Sequence, residues 1–236
     1  MISVRTKKIF AGIFFGALLV AGLFFFGTEK KPELKPSKID FKESNRPIEK
    51  VESSPANQAP FQWPEDNSLN SEDQKKWDIL TEILESKNDN DPRLDQELRH
   101  LSPQMHQKLR KAYDLLSLES RNERGTIAFL LARDLQTLED AEFITEIYQE
   151  KPCLGFQDCT KEDGTDPHLE GINQTSLNYP QLAALYQLGK RLESNLELLK
   201  NPEMKKQISD LLREARQFPA AAVQKRAEDI QKQFGL

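Results

Sequence analysis

The chain has 236 residues with 33 Lys+Arg against 38 Asp+Glu, a formal net charge of -5, and a mean hydropathy of -0.66. One apolar run is too few for a multi-span transporter, two Cys too few for a disulfide-dense scaffold, and an acidic chain does not suit a nucleic-acid binder. The average also hides a split, because the apolar residues are concentrated near the start.

Met1 to Lys8 carries Arg5, Lys7 and Lys8, and every residue from Ile9 to Gly27 is Ile, Phe, Ala, Leu, Val or Gly. About 20 residues of helix cross a hydrocarbon core of roughly 30 Å, so 9–27 just reaches across as a single transmembrane signal-anchor in contact with the lipid bilayer. A cleaved signal peptide is the competing reading. Its only tolerable site, Val20-Ala21-Gly22, would leave Leu23-Phe24-Phe25-Phe26 as the new terminus. The basic stub keeps the N-terminus inside, although Lys30, Lys31 and Lys35 follow the run, and its shortness favours export of the C-terminal part. The expected location is therefore a single-pass membrane protein with an exported, periplasmic or extracytoplasmic domain.

Residues 28–70 read as a disordered Pro/Lys/Glu-rich tether. Pro32, Pro36, Pro47, Pro55, Pro60 and Pro64 stiffen it, and it has too little apolar surface to offset the entropy of ordering. Phe61-Gln62-Trp63-Pro64 is its one aromatic island, placed either on the edge of the folded domain or on a partner.

From Ser71 to the end the pattern is all-α, a helical domain over 71–236. Ser71 to Gln74 fits a capping box before Trp77, Leu80 and Leu84. Asp91-Pro92 opens a second helix striped by Leu94, Leu98 and Leu101, and Ser102-Pro103 opens a third with Leu109, Ala112, Tyr113 and Leu116. Ser120 to Glu123 is another capping-box match, and Ile127, Leu130, Leu131, Leu135 and Leu138 continue from it as one helix. Phe143, Ile144, Ile147 and Tyr148 mark a fifth helix, closed by Pro152. Tyr179-Pro180, Asn201-Pro202 and Pro219 introduce three more. Gly189 in the middle of the first of these predicts a close helix–helix approach, and Gly235 a C-cap. Seven or eight helices joined by short links form an antiparallel bundle or a short irregular α-solenoid.

Ser120 to Leu138, Pro180 to Leu192 and Ala220 to Phe234 resemble the helices of HEAT-type repeats. Val223-Gln224-Lys225-Arg226-Ala227 is similar to their basic-then-alanine inner helix. The resemblance covers about a third of the chain, and no fixed period can be traced. It implies a scaffold that binds other proteins, without catalysis.

A long loop, 151–178, interrupts the helices and holds both cysteines, Cys153 and Cys159, with Phe156 between them and His168 beyond. Loops of this length in compact domains are usually functional or disordered. The five-residue spacing permits a disulfide, which fits an exported domain; free thiols and a Cys–Cys–His metal site are the alternatives. His100 and His106 flank a helix junction, where a histidine commonly complements terminal carbonyls. There is no phosphate-cradling Gly loop, nucleophile elbow or HExxH motif, so no catalytic residue, cofactor or metal ligand is assigned. The leading expectation is a membrane-anchored envelope adaptor that binds unidentified protein partners and no nucleic acid, with Phe61, Trp63, Phe156 and His168 as candidate contacts. The alternatives are a helical cell-envelope hydrolase using carboxylates such as Asp158, Glu162 and Asp163, or a structural subunit of a membrane complex.

Overall fold

Asn70 starts the first helix of the computed structural model, which describes Trp63 and residues 69–162 and 175–236. The expected span 9–27, most of the 28–70 tether, Phe61 and His168 lie outside the described residues. The described residues are all-α, with no strand among them. In chain order they form α1 (Ser71–Ser86), α2 (Arg93–Gln96), α3 (Pro103–Leu115), α4 (Arg121–Arg133) and α5 (Leu138–Gln149). Then follow α6 (Tyr179–Ser194), a 3-10 turn (Leu196–Lys200), α7 (Pro202–Gln217) and α8 (Ala221–Phe234). No helix among the described residues is long and apolar enough to cross a membrane.

The cap-plus-proline starts form as the sequence predicts. Ser102 Oγ accepts the Met105 N–H, and Asn201 Oδ1 accepts those of Glu203 and Met204. Each satisfies donors that a helix start leaves orphaned, while the proline at the first turn has none to lose. Gly235 closes α8 in the left-handed region, φ 65°.

Four starts differ from expectation. The cap of α1 is Asn70 rather than Ser71, and its side chain accepts the Glu72 and Asp73 N–H groups. Its amide then donates to Asp73, which also accepts from the Ser102 hydroxyl at 2.6 Å, so the starts of α1 and α3 are tied together. Ser120 makes no side-chain cap. The helix expected through Leu138 ends at Arg133, and Leu138 begins α5 instead. Thr137 and Asp140 form the reciprocal capping box there. The Asp91-Pro92 start yields only one turn, α2, though Leu94, Leu98 and Leu101 are all buried.

Packing runs between alternate helices. The α4 helix lies along α6, α5 along α7, and α6 along α8, while α7 and α8 pair directly. Leu130, Ile144, Leu188, Leu211 and Ile230, one from each of these five helices, have no exposed surface. Full burial of each such side chain contributes roughly 1.5–3 kcal/mol.

Two glycines face neighbouring side chains. At Gly189 an added Cβ would come within 2.6 Å of a guanidinium nitrogen of Arg226, the far end of a flexible side chain, and only into ordinary contact with Ile230 of α8 at 3.6 Å. Gly125 carries the tighter contact, because a Cβ there would lie 2.2 and 2.4 Å from the Tyr179 ring. Gly125→Val is therefore expected to cost roughly 2–3 kcal/mol by overpacking. In a Tyr179→Ala background the cost largely disappears, and Gly125→Ala becomes neutral or stabilising through helix propensity, about 1 kcal/mol. Urea unfolding of the four-variant cycle measures the coupling, and strict additivity would show that the ring does not press on this helix.

Candidate functional site

Lys151 to Glu162 leaves α5 without helical structure and folds back on the start of α4. Cys153 and Cys159 are joined by a disulfide, with Cα atoms 4.2 Å apart, and the Leu154 N–H donates to the Cys159 carbonyl across the ring so formed. The described residues thus hold these sulfurs in a bond rather than in a metal site, and no group of three or more His, Cys, Asp or Glu is arranged to hold a metal among them.

Arg121, in the first turn of α4, organises the loop. Its guanidinium donates to the carbonyls of Gly155 (3.1 Å) and Phe156 (2.8 Å) and lies 5.4 Å from the Phe156 ring centroid. Glu119 accepts the Cys159 N–H from the other side at 3.3 Å. Its own N–H and that of Cys159 hold its carboxyl below the ordinary value. Asp158 turns inward on its own loop, where Lys161 and Thr160 hold its carboxyl well below the usual range. Leu154 and Phe156 emerge from this braced backbone 40% and 39% exposed.

Trp63 stands elsewhere. Its ring packs edge-on to Trp77 of α1, centroids 5.8 Å apart, and is half-buried against the core, on the domain-edge side of the two placements open to it. Of the candidate contacts within the described residues, Phe156 is on the loop and Trp63 on the domain edge.

His106 is not where the sequence places it chemically. It does not complement helix-end carbonyls; it is buried, 3% exposed, between two carboxylates. Nδ1 lies 2.8 Å from Asp140 and Nε2 3.2 Å from Asp134. Asp140 is also met by Arg110 at 2.5 Å, and Asp134 accepts the Leu101 N–H and the Gln136 amide. Burial pulls the imidazolium down, but the bonds to Asp134 and Asp140 outweigh it and hold the group up at about 9. At neutral pH both ring nitrogens therefore donate, and no lone pair remains for a general base. The cluster clamps the start of α3 to the α4–α5 junction.

No family model, curated protein or solved structure matches this chain.

Proposed function

We propose that this chain is a single-pass anchored envelope protein whose helical domain docks protein partners. The observation that carries the reading is the stapled loop, which presents Leu154 and Phe156 on a backbone already ordered by the disulfide, Arg121 and Glu119. A surface ordered before binding loses less entropy on association, and aromatic groups are enriched at interface cores. The apolar run of 9–27 supports the anchor, and a disulfide belongs to an oxidising compartment, in keeping with export. The side-by-side packing of alternate helices, α4–α6–α8 and α5–α7, supports a short irregular solenoid over a bundle and agrees with the HEAT-like resemblance.

The test is a photo-crosslinking residue at Leu154 in the full chain at native expression. Discrete adducts are expected there and none from Lys205, an exposed position on α7. The double change Cys153→Ser/Cys159→Ser should lower the adduct yield about tenfold, the equivalent of about 1.4 kcal/mol of ordering restored to the loop. Equal adducts from both positions, or none from Leu154, would overturn the reading.

A further inference from the structure

An open cleft of about 470 Å³ lies on the other side of the α4 C-terminus, between α2, the turn before α3, α4 and α6. Its charge runs against that of the chain. Arg99, Arg133, Lys190 and Arg191 line it, against only Asp95 and Asp134.

Both acids are already engaged. Asp95 pairs with Arg133 at 3.0 Å, and Asp134 faces the His106 imidazolium with Gln136 and the Leu101 N–H. Three cations are left without a carboxylate. Arg191 donates only to the Leu135 carbonyl, and neither Arg99 nor Lys190 makes an ion pair among the described residues. Arg133 sits where burial holds its guanidinium below the ordinary value although Asp95 and Asp134 raise it, and Arg99 adds repulsion. These cations are gathered by the fold from three separate elements, the turn before α3, α4 and α6.

The cleft is also built. Lys76 donates to the carbonyls of Arg99 and His100, holding the turn that presents them, with His100 in the left-handed region at φ 53°. Arg133 is fixed by the carbonyls of Leu94 and Leu98 and lies 5.0 Å from the ring centroid of Phe129, which gives the cleft an apolar wall.

From this charge pattern we infer that the cleft is a binding site for a short acidic segment of a partner protein, its carboxylates meeting Arg99, Lys190 and Arg191 and its apolar atoms lying against Phe129. The dimensions favour a peptide over a single small anion, because about 470 Å³ falls within the range of sites for drug-sized ligands and its cations come from three separate elements. The net charge of -5 disfavours a long polyanion such as duplex nucleic acid, which would feel the whole acidic surface. A short segment feels mainly the local field, since charges beyond about 8 Å are screened at physiological salt. The inference does not depend on the stapled loop, which lies on other elements.

The test is fluorescence anisotropy of a labelled hexaglutamate peptide titrated with the full chain near physiological salt. Saturable binding is expected. The double reversal Arg99→Glu/Lys190→Glu should weaken it roughly thirtyfold, while Lys75→Glu/Lys205→Glu, with the same change of net charge at exposed positions away from the cleft, should change it less than about twofold. Thermal melts of both variants check the fold. Equal loss in the two variants, no saturable binding, or displacement of the peptide by inorganic tripolyphosphate more readily than by unlabelled peptide would each overturn the inference.

Discussion

Replacing His106 with Leu is expected to remove 3–5 kcal/mol of stability and to change how stability follows pH. The loss arises because Asp134 and Asp140 are left buried without the cation between them, and breaking a buried pair from one side strands the remaining charge. Arg110 still reaches Asp140, but it does not replace the donor to Asp134. The pH dependence follows from the imidazolium being held at about 9 in the folded state against an ordinary value of 6.5. A raised folded-state value means that the native state binds the proton more tightly. Its contribution is complete below about pH 6.5 and is lost as pH rises through about 9, a change on the order of 3 kcal/mol. Asp134 and Asp140 act in the opposite sense. Burial raises them, but His106 and the surrounding hydrogen bonds lower them further, so their contribution is present above the ordinary carboxylate value of 3.8 and fades as pH falls. Stability from this cluster therefore peaks between about pH 4 and 6.5. Urea unfolding at pH 7.5 and 9 should show the native chain weakening over that interval and the Leu variant, with no imidazole to titrate, remaining flatter. Parallel curves for the two proteins would sink the assignment.

The second large effect is expected at Arg124. This α4 side chain is buried, 6% exposed, and its guanidinium lies 4.1 Å from the Tyr113 ring centroid, pairs with Glu150 beyond the end of α5, and donates to the Leu116 carbonyl at 3.0 Å. One cation thus closes the end of α3 and the end of α5. Arg124→Met keeps most of the apolar stem but leaves Glu150 without its counter-charge, and should cost 3–5 kcal/mol. Burial already pushes the Glu150 carboxyl above its ordinary value against the pull of Arg124, and the variant pushes it further. An acid whose folded-state value is raised destabilises only when the pH is high enough to ionise it. The deficit of the Met variant should therefore shrink as pH falls toward the ordinary 4.5. Adding Glu150→Gln should recover part of the loss at neutral pH. A deficit that ignores both pH and Glu150 would assign Arg124 a packing role alone.

These two residues also mark where a single chain stops being readable. Ser102-Pro103 and Asn201-Pro202 announce helix starts because a cap and a first-turn proline act within three residues, and the structure uses both. The break at Asp134–Thr137 does not show, because Leu135 and Leu138 continue the apolar spacing of α4 and the Thr137–Asp140 box is hidden by it. Asp91-Pro92 promises a full helix and gives one turn, since Leu98 and Leu101 can be buried without a helical backbone. His106 was beyond reach of local pattern, its carboxylates standing 28 and 34 positions away. The cysteine loop was legible in outline because covalent spacing is local, whereas Arg121, which braces it, looked like an ordinary first-turn residue. The cleft was wholly hidden, as residues 99, 133, 190 and 191 share no window of sequence.

The link between the starts of α1 and α3 has a mechanical consequence. Tension applied to the chain before Trp63 reaches the fold at Trp77, whose ring makes a T-shaped contact with Trp63 and has the Lys108 ammonium of α3 over it, 4.3 Å from its centroid. It next meets Asn70, Asp73 and Ser102, which fasten α1 to the same helix. The load is thus shared by two helices at the point of entry, and peeling α1 requires these contacts to fail together. A pull on the preceding segment is therefore taken up at this edge, where Lys76 of α1 also holds the turn that carries Arg99 and His100 into the cationic cleft.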